Sequence, residues 1–466
     1  MSTRGAERKI RIGLLGCGVV GAGVVWAVAQ SERRVARRRG VQLEVVRIAV
    51  RDVDRPRPQH VDPLLLTSNW RDVVTAPDVD VVVEAMGGLS PAEEAITLAL
   101  RSGKHVVTAN KQLIAARGEV LSELAMSIGR SLLFDAAVGA AIPVLHVLDS
   151  YYGANHIIAL RGIVNGTSNY ILTQMDRDGL SFAEALREAQ AAGYAEADPT
   201  SDVEGWDALA KLQVLTRTAF GLSVPADGVA RSGISSVQRE DLALAAELGW
   251  KLKHVVEVTV QNGLVRARVG PALVAPSDLL FGIDGVHNGL VVSSDLAGDL
   301  LFAGAGAGAE PTASAIVEDV LKAVEQVGGT TRAAAAESGS SCGTARPTGT
   351  GSAQGVKFAE PTARGVVVTL PTSGNNLFGG RAGAELLYHR LAAQPGLLVE
   401  QVQPIATTHA EAAWVVTGEL VPTVVQQVAQ ALWRVPATSY PVYGTALPLD
   451  GAAAFCEPVR LPSGLS

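Results

Sequence analysis

A glycine-rich turn near the start of the chain, Gly16-Cys17-Gly18-Val19-Val20-Gly21, limits the fold more than any other sequence feature. It follows a short apolar strand and opens a predicted helix. There Gly16 permits a tight turn, Gly18 lets the backbone approach a pyrophosphate, and Gly21 lets helix and strand pack closely. The helix N terminus offers free N–H groups to an anion, so the turn predicts a nicotinamide dinucleotide site that includes Val19 and Val20. The alternative is a glycine turn that binds no cofactor.

The first 138 residues alternate between apolar strands and helices. Strands are predicted at residues 43–50, 79–83 and 105–108, with a helix at 91–101 between the last two. Continuous apolar strands separated by helices are typical of a parallel sheet covered on both faces. The N-terminal part is therefore predicted to be α/β, with a Rossmann-type doubly wound parallel sheet.

The end of the second strand decides which dinucleotide is preferred. An acidic residue there accepts the ribose hydroxyls of NAD, whereas an arginine accommodates the 2′-phosphate of NADP. The strand is followed by Arg51 and then by Asp52. Arg51 favours NADP, Asp52 leaves NAD open as a second cofactor, and an ordinary surface arginine is the alternative.

The middle of the chain has a different organisation. We predict a strand at residues 156–164, a helix with a capping box formed by Ser181 and Glu184, a long helix at 203–220, and a hairpin over residues 255–269. Long helices beside paired strands indicate an α+β domain.

An acidic run over residues 193–212 contains five carboxylates before one lysine. Asp207 and Lys211 are four residues apart, so they share a helix face. Glu196 and Asp202 precede that helix. The residues next to Lys211 are apolar, which favours a partly buried amine whose pKa suits proton transfer. The alternative is a solvated acidic loop with a surface ion pair.

Two further polar stretches follow predicted strands. Residues 162–172 contain small polar side chains that either cap a helix or line a substrate cleft. Residues 108–111, Thr-Ala-Asn-Lys, lie past the carboxyl end of a strand, where open α/β sheets bind ligands. Lys111 is placed there to meet a cofactor or a substrate carboxylate, unless it is an ordinary exposed lysine.

The composition excludes several classes of protein. Hydrophobic residues make up 48% of 466, and the net charge is −7, which disfavours a nucleic-acid partner. The three cysteines, Cys17, Cys342 and Cys456, fit no metal spacing and are typical of a reducing compartment. We found no signal peptide and no apolar stretch long enough to cross a bilayer, so we expect a cytoplasmic protein without a membrane partner.

The last third of the sequence indicates a separate domain. Residues 330–355 are rich in Ala, Ser, Gly and Thr, which is typical of a flexible linker. The strands and helices that follow have the order βαββαβ, a ferredoxin-like arrangement. The predicted domains are 1–138 completed by 301–328 (nucleotide-binding), 139–300 (catalytic and dimerisation), 329–357 (linker) and 358–466 (C-terminal).

Taken together, these motifs resemble homoserine dehydrogenase over about the first 330 residues. The segments that carry the resemblance, besides the glycine turn, are 108–111, 134–139, 165–170, the acidic run to Lys211, and 306–308 before Pro311-Thr312. The opening of the acidic run, Gly-Tyr-Ala-Glu-Ala-Asp-Pro, is the most specific of them.

The resemblance implies NAD(P)-dependent interconversion of L-homoserine and L-aspartate 4-semialdehyde, a step in threonine, methionine and isoleucine biosynthesis, by a homodimer or homotetramer. It implies that Lys211 transfers the proton of the substrate hydroxyl. The other implied roles are substrate binding by Glu196, Asp202, Asp207 and Lys111, and cofactor binding by Lys111, Thr108 and Gly308.

Two departures from the family are visible. The family often binds a structural monovalent cation, Na+ or K+, and the matching positions here are Asp135, Val138, Ala140 and Ile142. Asp is one methylene shorter than the usual glutamate, and alanines replace glycines in that turn.

The C-terminal domain occupies the position of the family's ACT regulatory module, which binds an amino-acid effector. Its first loop, residues 372–380, lacks the usual Asp-x-Pro-Gly turn. We therefore expect an ACT-like fold in which inhibition by threonine is altered or lost.

Two other functions fit the same motifs. One is a different NADP-dependent oxidoreductase of amino-acid metabolism with the same domain plan. The other is a non-catalytic effector sensor that keeps the nucleotide-binding fold. The complete acidic run argues against the sensor.

Overall fold

The computed structural model describes residues 8–261, 264–333, 357–359, 363–370, 387, 390–394, 398–405, 412–420, 425–428 and 438–443. They divide into two compact units. Unit 1 contains the described residues of 8–154, 213–222 and 304–333. Unit 2 contains those of 155–212 and 223–303 and all described residues from 357 onward. The finer domain boundaries given above stay predictions.

Unit 1 is built on a six-stranded sheet in which every pairing is parallel. Its strands are β1 (Arg8–Leu15), β2 (Val41–Ala49), β3 (Leu66–Thr67), β4 (Val81–Glu84), β5 (His105–Thr108) and β6 (Leu132–Leu133). Its first helices are α1 (Val19–Arg39), α2 (Arg71–Val74), α3 (Ala92–Arg101), α4 (Lys111–Ser127) and α5 (Val144–Ser150). The spatial order β3-β2-β1-β4-β5-β6 is the Rossmann order, so the predicted parallel sheet is confirmed.

Helix α1 is held against this sheet by an apolar face that includes Val24, Val28 and Val35. It ends in three arginines, Arg37 to Arg39, whose charges lie at the negative end of the helix dipole. Gly40 then takes a φ of 67°, a left-handed conformation that ends the helix.

Unit 2 begins with an antiparallel sheet packed against helices. The elements between residues 155 and 305 are β7 (Ile157–Ile163), α6 (Gly166–Asp178), α7 (Phe182–Ala191), α8 (Thr200–Val203), α9 (Trp206–Phe220), β8 (Ala230–Arg231), α10 (Arg239–Glu247), β9 (Lys251–Gln261), β10 (Leu264–Val274), β11 (His287–Ser294) and β12 (Gly298–Ala305). All belong to unit 2 except the part of α9 from residue 213 and the last two residues of β12, which belong to unit 1. The strand order is β12-β11-β7-β9-β10. The predicted hairpin is confirmed as the antiparallel pair β9 and β10, and the capping box of Ser181 and Glu184 is present at the start of α7.

The helix predicted at residues 203–220 is present as α9, which starts three residues later than predicted. Helix α8 ends at Val203, α9 starts at Trp206, and between them Gly205 has a φ of 77°. A left-handed residue cannot continue a right-handed helix, so the chain turns at this glycine. Asp202 therefore lies on a different helix from Asp207.

Helix α11 (Ala309–Ala333) belongs to unit 1, where it packs against α1. It runs past residue 328, so the first residues of the predicted linker, 329–333, are helical rather than extended chain. The rest of that linker, including Cys342, lies outside the described residues.

Five strands are described beyond residue 356: β13 (Lys357–Ala359), β14 (Ala363–Leu370), β15 (Leu398–Ile405), β16 (Ala412–Leu420) and β17 (Thr438–Tyr443). The last four are antiparallel neighbours in the order β17-β14-β16-β15, and β17 and β13 also pair with β10. The loop 372–380 and most of the two predicted helices lie outside the described residues.

No helix in the described part of the chain is both long enough and apolar enough to cross a membrane.

Candidate active site

The glycine turn lies where the strand order of unit 1 reverses, between β1 and β4. Gly16 has a φ of 90°, and a Cβ there would lie 2.6 Å from the carbonyl oxygen of Ala85, directly after β4. A Cβ on Gly21 would lie 2.1 Å from the carbonyl oxygen of Gly16. Both positions therefore require glycine for packing within the protein itself.

Gly18 has a different reason to be glycine. A Cβ at this position would meet no atom of the described residues within 4 Å, although the residue is the N-cap of α1. No side chain caps α1 and no acidic residue lies in its first turn, while Val19 is 76% exposed. The helix end thus keeps free N–H groups and open space, and these features fit a dinucleotide pyrophosphate.

Two other predicted cofactor residues belong to the same unit. Gly308 has a φ of 123° and directly precedes α11. The first residue of α11, Ala309, lies against α1: a Cβ on Gly23 would be 2.9 Å from the Ala309 carbonyl oxygen. Arg51 lies after β2 in an exposed bend. The structure thus brings Gly308 to the start of α1 and places Arg51 at the carboxyl edge of the sheet.

A hydrogen-bonded network occupies the carboxyl ends of β4 and β5. Thr108 Oγ1 donates to Glu84 Oε2 over 2.5 Å, and Glu84 Oε1 accepts from the backbone N–H groups of Met86 and Gly87. Asn110 caps α4 by accepting from the N–H of Leu113. This network fixes Thr108 and the first turn of α4.

Lys111 is the first residue of α4 and is partly buried. It therefore lies at the carboxyl edge of the parallel sheet, as the sequence predicted. Glu84, whose side chain is fully buried, was not assigned from the sequence; the acidic end of an all-valine strand was the available indication.

In unit 2 the acidic run forms a compact cluster around Lys211. The Lys211 ammonium lies 2.9 Å from Asp207 Oδ2 and donates to the carbonyl oxygen of Val164 over 2.7 Å. Both side chains are buried, at 9% and 4% exposure. A buried ion pair is stable only when its remaining polar atoms are also hydrogen-bonded, and the Val164 carbonyl meets part of that need.

Asn165 provides a further hydrogen bond to the carboxylate of this buried ion pair. Its Nδ2 donates to Asp202 Oδ1 over 2.7 Å and to Asp207 Oδ2 over 2.8 Å, and its Oδ1 caps α6 at the N–H of Ser168. One amide thus joins two carboxylates that come from different helices. The structure brings Asp202, Asp207 and Lys211 together. Asn165, from the polar stretch 162–172, caps α6 as one of the two predicted alternatives and lies at the centre of this cluster.

Glu196 lies apart from these contacts, on the exposed loop before α8, where its backbone carbonyl accepts from Gln190. The neighbouring Asp198 has a structural role: it accepts hydrogen bonds from Thr200, and these lower the pKa of its carboxyl. The role predicted for Glu196 stays a prediction.

The positions matched to a cation site lie in unit 1. The Asp135 carboxylate is buried and accepts from the N–H groups of Leu145 and His146 at the start of α5. Ala140 has a φ of 49°, a conformation that favours glycine. The described residues contain no group of three or more His, Cys, Asp or Glu side chains suited to a metal ion. A carbonyl-bound cation near Val138, Ala140 and Ile142 stays a prediction.

The Asp135 backbone N–H donates to Asp319 Oδ2 over 2.9 Å. Burial, and then the nearby Asp135 carboxylate, raise the pKa of Asp319 to about 7. Because an unfolded aspartate has a pKa of about 3.9, ionising Asp319 favours the unfolded chain, and its contribution to stability is lost as the pH rises through 7.

We therefore expect Asp319→Asn to gain stability relative to the wild type between pH 5 and pH 8, as measured by melting temperature at each pH. The matched control is Asp149→Asn, which removes a half-exposed carboxylate on α5. A melting-temperature difference that stays constant with pH for Asp319→Asn would contradict the assignment.

The parallel sheet with its glycine turn and the buried acid–lysine cluster define a class of protein: a dinucleotide-dependent oxidoreductase with a polar substrate site. Family models agree: residues 16–135 match the homoserine dehydrogenase NAD-binding domain, and residues 143–321 match the homoserine dehydrogenase domain. The chain belongs to the homoserine dehydrogenase family.

Similar proteins support this assignment. The homoserine dehydrogenase of Synechocystis is 42% identical over 319 residues, covering 68% of this chain and 73% of the relative. That of Mycobacterium tuberculosis is 44% identical over 324 residues, with the same two coverages. A solved homoserine dehydrogenase from Thiobacillus denitrificans has a TM-score of 0.78 at 33% identity and covers 94% of this chain and 98% of its own. A hyperthermophilic archaeal homoserine dehydrogenase, solved with NADPH, has a TM-score of 0.59 at 25% identity over 68% of this chain and 98% of its own.

Proposed function

We propose that the protein interconverts L-homoserine and L-aspartate 4-semialdehyde, with Lys211 as the group that moves the hydroxyl proton. The observation that carries this assignment is the Lys211 ammonium, buried between the Asp207 carboxylate and the Val164 carbonyl. An amine held in this way has a fixed position, and proton transfer requires such positioning. When bound, the nicotinamide would accept or supply the hydride.

The substrate is a zwitterion and needs groups of both charges. We assign its ammonium and hydroxyl ends to the carboxylates of Asp202, Asp207 and Glu196, and its carboxylate to Lys111. The Asn165 amide supports this assignment, since it orients Asp202 and Asp207 together. A sensor that performs no chemistry would not need a buried lysine in such a cluster.

The direct experiment is a spectrophotometric assay of homoserine oxidation with NADP and with NAD. Turnover would support the proposal. Intact cofactor binding without turnover of homoserine would favour a different amino-acid oxidoreductase with the same domain plan. The assay should be repeated with added Na+ or K+, because a structural cation at Asp135 would make activity depend on it.

We assign NADP as the preferred cofactor on account of Arg51, which is exposed directly after β2. A guanidinium pairs with a 2′-phosphate that NAD lacks, so Arg51→Ala is expected to lower the NADP-to-NAD ratio of kcat/KM about tenfold. The control is Arg38→Ala, which removes an exposed arginine from the last turn of α1. An unchanged ratio in Arg51→Ala would remove this residue from the cofactor site.

The C-terminal strands support an ACT-like module. β14 and β15 follow each other among the described strands, yet β16 lies between them in the sheet, and this strand order is that of a ferredoxin-like fold. We assign this module to an amino-acid effector and the whole chain to a homodimer or homotetramer. Repeating the assay with threonine tests the effector, and light scattering of the full chain measures the assembly.

A further inference from the structure

One backbone carbonyl in unit 2 accepts hydrogen bonds from two buried side chains. The carbonyl oxygen of Val164 accepts from Lys211 Nζ over 2.7 Å and from Asn288 Nδ2 over 3.0 Å. Asn288 lies in β11, next to the end of β7, and is 2% exposed. Asn288 is therefore a close neighbour of the proposed proton-transfer residue.

The other end of the Asn288 amide is unusual. Its Oδ1 is buried and has no hydrogen-bond donor among the described residues. Turning the amide over would place this oxygen against the Val164 carbonyl, where two acceptors would repel each other, so the orientation is set by the carbonyl. Buried acceptors in folded proteins nearly always have a donor, often an ordered water.

The chain around Asn288 is held in place, so it has little freedom to move and bring a donor to the unpaired Oδ1. Asn169 Nδ2 donates to the carbonyl oxygens of Ile283 and His287, and the buried Lys253 ammonium donates to Ile283 as well. These bonds hold the segment before β11, and the first residue of β11, to helix α6 and strand β9. The unpaired oxygen is therefore a fixed feature of the site rather than a loosely placed side chain.

We propose that Asn288 Oδ1 binds a water molecule through which the proton of Lys211 reaches solvent. The inference rests on the proposed role of Lys211. Before oxidation an N–H bond of the Lys211 ammonium breaks, its proton passes to the water, and that water releases a proton to solvent. The substrate O–H bond then breaks and an N–H bond forms on the neutral amine, while the hydride leaves with its electron pair to the nicotinamide. Reduction runs the same steps in reverse.

The physical need for such a route follows from the burial of Lys211. Its side chain is only 9% exposed, so each turnover must carry one proton between a buried amine and solvent. The Val164 carbonyl accepts a hydrogen bond but has no proton of its own to pass on. The amine and the Asn288 amide bind the same carbonyl oxygen, so we assign the relay to a water on the unpaired Oδ1 of that amide.

The test compares Asn288→Leu, which removes donor and acceptor at similar size, with Asn288→Gln, which keeps both the donor and the acceptor. We expect Asn288→Leu to lower kcat for homoserine oxidation about tenfold or more, with an increased solvent deuterium isotope effect on kcat. KM for homoserine and NADP affinity should stay within about twofold. Asn288→Gln should keep an isotope effect near that of the wild type.

The matched control is Val292→Ala, a buried apolar substitution on the same strand that changes packing without changing polar groups. It reports what a comparable loss of melting temperature does to kcat and to the isotope effect. If Asn288→Leu and Val292→Ala behave alike at equal stability, the proposed water route is wrong. A rise in homoserine KM with unchanged kcat in Asn288→Leu also overturns it. Failure of the wild type to oxidise homoserine would instead overturn the proposed function.

Discussion

Replacing Lys211 with alanine is expected to lower kcat for homoserine oxidation by about 10²–10⁴-fold, the usual contribution of a positioned acid or base. The hydroxyl proton then has no amine to accept it. NADP affinity should change little, since the residues assigned to the cofactor belong to the glycine turn and its surroundings. Steady-state kinetics and fluorescence titration with NADPH measure the two quantities separately.

A stability control is needed because the substitution also breaks a buried ion pair. Asp207 would lose its ion pair with Lys211 and keep its hydrogen bond from Asn165. Loss of one partner of a buried ion pair often lowers the free energy of unfolding by about 3–5 kcal/mol. Lys104→Met is the matched variant: it removes another buried lysine, which donates to the carbonyl oxygens of Ala76 and Val79. Near-normal turnover in Lys211→Ala, or an equal loss in Lys104→Met, would argue against the role of Lys211.

The sequence predicted this lysine because its evidence is local. Asp207 and Lys211 are four residues apart, and apolar neighbours on the helix indicate burial. Asn165 and Asn288 are far from them in sequence, and each is a single polar residue near a strand end. Their contacts depend on the pairing of β7 with β11 and on the packing of α6, which no local pattern specifies.

The fold of unit 1 was predictable for a related reason. A glycine turn between strand and helix, followed by valine-rich strands, leaves few arrangements other than a parallel sheet. The start of α9 was predicted three residues too early, because a single glycine inside a helical pattern, such as Gly205, also occurs within continuous helices. The order of the strands in the sheet could not be predicted from the sequence either, because apolar strands of similar composition can be ordered in several ways.

The glycines of the turn should separate cofactor binding from stability. Gly18 has a φ of −83°, which alanine adopts freely, and a Cβ there meets no described atom within 4 Å. Gly18→Ala is therefore expected to keep the melting temperature and to weaken NADP binding about tenfold or more, because the methyl group enters the space of the pyrophosphate. Isothermal titration with NADP and thermal unfolding measure both effects.

Gly21→Ala is expected to lower the stability of the protein, which Gly18→Ala should leave unchanged. Its Cβ would lie 2.1 Å from the Gly16 carbonyl oxygen, so α1 has to move away from β1, at a cost of about 1–3 kcal/mol in unfolding free energy. Gly153→Ala is the control for both variants, since its Cβ meets no described atom within 4 Å and it lies outside the turn. If Gly18→Ala bound NADP as tightly as Gly153→Ala does, the pyrophosphate could not lie against Gly18. The cofactor would then have to be placed elsewhere along the carboxyl edge of the sheet.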